Sequence, residues 1–452
     1  VTGAESFGLS WPGKAAALLA ADQPIGEVQA ALMPRPAEGL DWDTTANLFI
    51  EGDNLDALRL LVPTHAGRAK LIYIDPPYNL GRDVIYADTA GSAAAGSGVA
   101  GSGAAGSTHA SWLSMMLPRL VLARRLLRAD GVICISIDDT EHAHLRLLCD
   151  EVFGPANFVA TFTWETKRAA RGVPPRSLLM HNHEYVICYA LDRDNVRLRG
   201  LDRAAADFAN PDADPRGPWR SESMKATGNQ NNYFAINDPA TGASYHANWA
   251  FSPASLQRMI EDRLVIFPPT PDGVPRQKKM IDAYRNDTKA AVTSLGWHST
   301  EQATKHLMEL FDGEKAFSFP KPLSLVEFFC EQFLPDDGLV LDFFAGSGTT
   351  GHAVLNLNAV DSGHRRFILV QRPEPLNAGH NEQRTAAALC ERLGKPLTIA
   401  ELTKERLRRA AAAIRAANPS YLGDLGFQVY AVTEAEAEAE AEAEAEAEAA
   451  SA

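Results

Sequence analysis

The sequence predicts an α/β protein, with a mostly parallel sheet flanked by helices and interrupted by an inserted polar module. Three observations predict it. Short β-branched and aromatic runs alternate with stretches of helical apolar spacing, the strand, helix, strand rhythm of a parallel sheet. Two such units stand far apart in the chain, one opening with KLIYIDPPYN and the other with GLVLDFFAG. Between them lies a polar stretch rich in Pro, Asn, Arg and Trp, about the size of a small module.

In chain order, KLIYIDPPYN reads as a buried strand ending at Asp75. A Gly/Ala/Ser-rich stretch from Thr89 to Ser107 then reads as a flexible loop. SWLSMMLPRLVLARRLL has helical apolar spacing, and GVICISID is a further strand ending in Asp138 and Asp139. PRGPWRSESMKATGNQNNYF and FPPTPDGVPRQKK belong to the insertion. Gly338–Gly346 is a strand running into a glycine-rich turn, GTTGHAVLNLN is a helix, and Arg365–Gln371 is the next strand. The expected divisions are an N-terminal extension (1–44), a first half with DPPY (45–160) containing the 89–107 loop, a continuation of the motif-bearing part together with the insertion (161–300), a second half with FxGxG and a C-terminal helix and strand (301–432) and a Glu-Ala tail (433–452).

A chain of 452 residues suits two lobes or one large domain with an insertion. Five scattered cysteines, odd in number and without a CxxC pair, suggest neither a disulfide framework nor a zinc site, and a reducing cytoplasm is expected. No basic leader followed by an apolar run and no membrane-length apolar stretch is present, so a soluble protein is expected. The net charge of −14 argues against nucleic acid only if it is evenly spread. It is not: residues 160–290 carry 18 Lys and Arg against 15 Asp and Glu, and eight of the outer acids are the glutamates from Glu434 to Glu448. The middle is therefore the phosphate-facing candidate. The tail, with no apolar residue larger than alanine, is expected to be disordered.

Two constellations carry chemistry. Asp75, Pro76, Pro77 and Tyr78 follow a strand, where open α/β sheets place ligand-contacting groups. The prolines remove two backbone donors, which leaves carbonyls to accept from a ligand. An exocyclic amine on a nucleobase is a poor nucleophile, because its lone pair is delocalised into the ring. If Asp75 and the Pro76 carbonyl accept its hydrogens, the lone pair localises and can attack a methyl group. An ordinary Asp pKa of about 3.9 is too low to deprotonate the amine first, so proton loss should follow transfer. Tyr78 offers a face for a base taken out of the duplex. Alone, the tetrad also reads as a tight turn. The second constellation, Asp342, Phe343, Phe344, Ala345, Gly346, Ser347, Gly348, Thr349, Thr350, opens a helix whose N–H groups can bind an anion. Gly346, Gly348 and Gly351 satisfy the dinucleotide fingerprint, but Asp342 and the aromatic pair are not its usual company.

Together, DPPY and the downstream FxGxG resemble the amino-methyltransferases of nucleic acids in the permuted β-class order. NLFIEGDNLDALRLL, SWLSMMLPRL, GVICISIDDTE, FGPANFVATFTWETK, HNHEYVICYA, GWHSTEQATK, FPKPLSLVEFF and LDFFAGSGTTGHAVLNLN resemble the modification subunits of type III restriction systems and related orphan adenine methyltransferases. The resemblance covers most of residues 45–430. It implies a Rossmann-like S-adenosylmethionine-dependent methyltransferase fold, circularly permuted in motif order, with an inserted target-recognition domain. It implies S-adenosylmethionine as cofactor, no metal for the transfer, and adenine N6 as target, with cytosine N4 the alternative. Double-stranded DNA is the implied partner, with a homodimer, and a type III restriction subunit is the alternative associate.

By resemblance, Phe344, Ala345, Gly346, Ser347, Gly348 and Thr349 line the cofactor pocket after Asp342, and Lys321, Pro322 and Ser324 close its methionine end. Lys321 also reads as a surface cation. Asp53 is implied to approach the cofactor's adenine, and reads equally as a helix cap. Three departures stand out. Where the family commonly offers an acid to the ribose, this chain has Gln371, with Glu374 three residues on; either can hydrogen-bond hydroxyls. After LGFQVYAV comes the Glu-Ala tail, and the middle segment is short for a restriction-complex subunit, which favours a stand-alone enzyme. DNA contacts are expected from Lys167, Arg168, Arg171, Arg220, Lys225 and Lys278, which as solvated loop charges would need no ligand. Ser136, Asp138 and Asp139 either border the base pocket or cap the next helix, the latter being favoured.

Overall fold

A computed structural model of the chain describes residues 8–23, 30–80, 108–167, 179–203, 207–228, 232–270, 272–284 and 288–433. The 89–107 loop, the Glu-Ala repeats from Glu434 onward, and Arg168 and Arg171 lie outside the described residues. The chain divides into two units, Val1–Leu198 with Val292–Ala452, and Arg199–Ala291.

The first unit is built on a ten-stranded sheet. Its strands are β1 (Ala31–Pro34), β2 (Leu48–Glu51), β3 (Ala69–Ile74), β4 (Leu127–Ile137), β5 (Phe158–Glu165), β6 (His183–Ala190), β12 (Ser294–Trp297), β13 (Leu339–Asp342), β14 (Arg366–Gln371) and β15 (Gln428–Thr433), with β7 to β11 belonging to the second unit. Their spatial order is β1, β15, β2, β14, β13, β3, β4, β6, β5, β12. The run from β15 to β4 is entirely parallel. β1 closes one edge antiparallel, and β6 turns the other side antiparallel before β5 and β12 pair in parallel.

Helices cover both faces, and strand alternation decides which residue meets which helix. Phe49, Leu71, Tyr73, Val132 and Cys134 pack with Phe329, Val354 and Leu407. Those three come from helices α7 (Leu323–Phe333), α8 (Thr349–Asp361) and α10 (Ile399–Ala417). Ile50, Ile72, Ile74, Ile133 and Ile135 pack on the other face with Leu58, Leu117 and Leu148. Their helices are α2 (Asn54–His65), α3 (Thr108–Leu126) and α4 (His142–Phe153). All six residues of β3 are buried, which is why it reads as a continuous apolar run rather than an alternating one. Each fully buried Leu or Ile contributes roughly 1.5–3 kcal/mol. Its single charge, Lys70, reaches Asp130 at 3.1 Å.

From β13 the chain proceeds to the neighbouring β14, and from β3 to β4 on the opposite side. The strand order therefore reverses between β3 and β13, and the crevice outside their carboxyl ends is where such sheets bind ligands.

Two of the expected divisions also supply parts of the first unit. The stretch before residue 45 supplies α1 (Lys14–Asp22), with Ala17 and Ala21 buried against the α3 face, and the edge strand β1. Four residues ending in Pro34 are too short to read as a strand until β15 supplies the ladder. The segment 161–300 gives most of β5, and all of β6 and β12, to the main sheet, so the separate unit is narrower.

That unit, Arg199–Ala291, has a three-stranded antiparallel sheet of β10 (Val265–Ile266), β11 (Arg276–Met280) and β7 (Trp219–Ser223), and a hairpin of β8 (Tyr233–Asn237) with β9 (Ser244–Asn248). Helix α5 (Pro253–Glu261), capped by Ser252, adds Leu256 to a small core with Met224, Ile236, Tyr245 and Trp249. Helices α6 (Thr300–Leu310) and α9 (Arg384–Arg392) belong to the first unit. No helix among the described residues is long and apolar enough to cross a membrane.

Candidate active site

Four neighbouring parallel strands deliver the candidate residues to one edge of the sheet. In spatial order β2 leads to Asp53, β14 ends at Gln371, β13 ends at Asp342 and β3 leads to Asp75. Residues scattered over more than 300 positions of sequence are thus adjacent strand ends.

Asp75 leaves β3 and meets Lys321, whose Nζ stands 3.0 Å from its Oδ1 and 3.4 Å from Glu184 Oε2 on β6. Tyr78 donates to the same Glu184 oxygen at 3.0 Å, and the Lys321 ammonium lies 4.7 Å from the Tyr78 ring centroid. Burial raises the Asp75 carboxyl above the usual range; Lys321 opposes the rise and Glu184 adds to it. One ammonium faces two carboxylates. Burial also pushes the Tyr78 hydroxyl up, so it is a phenol at any working pH. The Pro77 carbonyl accepts from Trp112 Nε1 at 2.6 Å, whereas no hydrogen bond among the described residues occupies the Pro76 carbonyl. Beneath, the buried Tyr73 hydroxyl and Ser136 Oγ are 2.9 Å apart. Asp138 accepts from the Thr140 N–H at 2.8 Å and Asp139 from the Tyr185 hydroxyl at 2.8 Å, so neither carboxylate is idle.

The glycine turn after β13 is held from below. Asp342, 3% exposed, accepts from the Phe344 N–H at 3.0 Å and from the Thr350 hydroxyl at 2.6 Å, and burial raises its carboxyl to about 7. Gly346 and Gly348 take φ of 50° and 78°, a region that a side chain would strain. A Cβ on Gly348 would also meet Thr403 Cγ2 at 3.0 Å. Thr403 donates to the Gly346 carbonyl at 2.6 Å, and Arg406 Nη1 reaches the Ser347 carbonyl, Ser347 Oγ and Thr349 Oγ1 at 3.1, 2.7 and 2.8 Å. Burial lowers that guanidinium to about 9. Ala345 is buried and Phe344 packs partly into the core, so the turn presents backbone and small side chains.

Around this turn, Gln371 Oε1 accepts from the Gly346 N–H at 2.7 Å. Glu374 instead keeps a buried Oε2 without a hydrogen-bond partner among the described residues, and burial raises its carboxyl. Asp53 caps α2 by accepting from Leu55 N at 2.8 Å, with Arg119 Nη2 at 3.4 Å, yet remains 40% exposed. Asn54 donates to the Phe343 carbonyl at 2.8 Å, tying α2 to the turn. Pro322 precedes α7, and Ser324 Oγ lies 2.9 Å from His298 Nδ1.

Glu184, Arg119, Thr403 and Arg406 were not singled out from sequence. Glu184 does sit conspicuously at the start of the aromatic and apolar strand HEYVICYA. Nothing separates Arg406 from its basic neighbours in α10. Of the cations expected to face phosphate, Lys167, Arg220 and Lys225 are exposed. Lys278 is 4% exposed, paired with Asp212 at 2.6 Å and with Asp214, and lies 5.0 Å from the Trp219 ring centroid. Its ammonium is consumed internally, because burying an unpaired charge is too costly.

A family model described as DNA methylase matches residues 69–370, about two thirds of the chain. The Mod subunit of the type III restriction-modification enzyme StyLTI from Salmonella typhimurium is 36% identical over 413 residues, covering 85% of this chain and 60% of that protein. The EcoPI Mod subunit of Escherichia phage P1 is 33% identical, covering 89% and 68%, and the type II methyltransferase M.KpnI of Klebsiella pneumoniae is 29% identical, covering 75% and 83%. The chain thus spans less than two thirds of the StyLTI subunit's length. With both motifs of the crevice inside the matched segment, the chain belongs to the DNA methylase family.

Proposed function

We propose that the chain transfers a methyl group from S-adenosylmethionine to the N6 amine of an adenine flipped out of double-stranded DNA. The observation that carries this reading is the adjacency of β3 and β13, which sets the tetrad Asp75–Tyr78 beside the glycine turn Phe344–Thr349 at the switch point. The cofactor supplies an activated methyl on a sulfonium. The chain's residues bind, orient and accept protons. The N–H groups opening α8 suit its carboxylate. The unpartnered Glu374 oxygen suits the ribose hydroxyls better than Gln371, whose acceptor oxygen is already taken. Asp53 Oδ2 has no hydrogen bond among the described residues and suits the adenine amine.

On the base side, Asp75 and the Pro76 carbonyl accept the two hydrogens of the amine and localise its lone pair toward the methyl, while the Tyr78 ring stacks on the base. Two carboxylates sharing one ammonium leave the pocket net negative, which favours a cationic sulfonium approaching Asp75. Adenine rather than cytosine is the target that the resemblance carried by the DPPY form supports. Lys167, Arg220 and Lys225 are the described cations assigned to phosphate contact, and Arg168 and Arg171 join them from sequence. The chain acts as a homodimer in the cytoplasm. M.KpnI, by name a type II methyltransferase, supports a stand-alone enzyme, and the Mod relatives support a restriction subunit as partner.

The test is incorporation of labelled methyl from S-adenosylmethionine into unmodified duplex DNA, digestion to nucleosides and mass spectrometry, beside Asp75→Ala. N6-methyladenine from the wild type and none from the variant is expected. N4-methylcytosine would overturn the base assignment, and a cofactor-bound protein giving no DNA product would overturn the substrate.

A further inference from the structure

Away from the methyl-transfer chemistry, a second polar cluster sits where α3, α4 and the chain just after Tyr78 converge. Glu141 precedes α4 and His144 lies one turn on, so the spacing E-x-x-H puts both on one helical face. His109, in the first turn of α3, brings its Nδ1 to 2.7 Å from Glu141 Oε1, and Asn79 Nδ2 reaches the same oxygen at 2.6 Å. The two imidazole rings lie 4.6 Å apart between centroids.

Two features are hard to explain as a simple hydrogen-bonded network. Glu141 is fully buried, and no lysine or arginine pairs with it among the described residues. A buried carboxylate without a compensating cation is strongly unfavourable. Glu141 Oε2 and His144 Nδ1 stand 2.9 Å apart, yet both are buried atoms without a properly directed hydrogen bond among the described residues, and Asn79 Oδ1 is in the same condition. Buried Glu141 Oε2, His144 Nδ1 and Asn79 Oδ1, left unpartnered beside the bonded Glu141 Oε1, suit a shared cation.

We propose that His109, Glu141 and His144 bind a divalent transition cation, zinc being the best match, with the carboxamide of Asn79 beside it. The three donor groups lie within 4.8 Å of one another. Two imidazoles and a carboxylate with an open position are a zinc donor set; magnesium and calcium select oxygen ligands. The cation neutralises Glu141 and ties the first turns of α3 and α4 to Asn79, the residue following the DPPY tetrad. Its role is to hold that loop, separate from the transfer step. The other acidic group, Glu38, Glu51 and Glu401, already surrounds the Lys404 ammonium and has no need of an ion.

The experiment uses the full, untagged chain purified without chelator. Plasma mass spectrometry should find about one zinc per chain. After stripping, titration with cobalt(II) should saturate at about one equivalent and give the visible absorption of a nitrogen and oxygen site of low coordination number. His109→Asn, at a side chain 41% exposed, and His144→Asn should each weaken uptake at least tenfold while retaining a cooperative melt. Wild-type protein that takes up no zinc or cobalt at tens of micromolar, or a folded His109→Asn variant that binds as wild type does, overturns the proposal. The metal measurements do not depend on whether DNA is the substrate.

Discussion

Lys321 Nζ lies 3.0 Å from Asp75 Oδ1, an ion pair whose side chains are 12% and 24% exposed. Burial raises the Asp75 carboxyl and Lys321 opposes that rise. Replacing Lys321 by Met removes the opposing charge, so the Asp75 carboxyl climbs further and stays protonated to higher pH. A protonated Asp75 accepts less well from the base amine. The acidic limb of methyl transfer against pH should therefore move to higher pH. Initial rates across pH check this, and an unmoved limb would show that Lys321 does not control Asp75.

Tyr78 contributes a ring and a hydroxyl that separate cleanly. Its hydroxyl is committed to Glu184, so Tyr78→Phe should leave most of the transfer rate intact. Tyr78→Ala removes the stacking face and should cost about 1–3 kcal/mol in kcat/KM, on the order of ten- to a hundredfold. Equal losses in both variants would point to the hydroxyl instead.

Glu374 and Gln371 compete for the ribose. With Gln371 bound to the Gly346 N–H and Glu374 Oε2 unpartnered, Glu374→Ala should weaken S-adenosylmethionine binding by about tenfold or more in calorimetry. Its melting temperature without cofactor should stay close to wild type, since no hydrogen bond of Oε2 among the described residues is lost. Gln371→Ala should lower the melting temperature by loosening the turn.

Asp342 makes stability depend on pH. Its folded value of about 7 lies above the unfolded value near 3.8, so the unfolded state releases the proton first as pH rises. The stabilising contribution is complete below about pH 4 and is lost as pH rises through 7. Asp342→Asn keeps an acceptor for the Phe344 N–H and does not ionise. Relative to that variant, the wild type should lose several degrees of melting temperature between pH 4 and 7. Parallel melting curves for the two proteins would refute the assignment.

By itself the sequence determined the strands and helices that flank the two motifs, and the motifs themselves, because both are local. A short continuous run such as LIYI, β-branched and aromatic and stopped by two prolines, reads as a doubly buried strand, and proline pairs or glycines after a strand restrict the chain within a few residues. What the sequence could not contain was adjacency. That β3 lies beside β13 rather than β14 depends on strand pairing across more than 250 residues, and it decides that Asp75 and Asp342 share a crevice. Pairing likewise drew residues 31–34 and 294–297 into the sheet, although each run is too short to signal a strand alone. Tertiary packing also separated charges that look alike in one dimension. Lys321 turned to Asp75, Lys278 was spent on Asp212 and Asp214, Arg406 was buried under the glycine turn, and Lys225 stayed exposed. The reason is physical: a charge's role follows from the partner and the solvent it meets, and both are fixed only when distant segments pack.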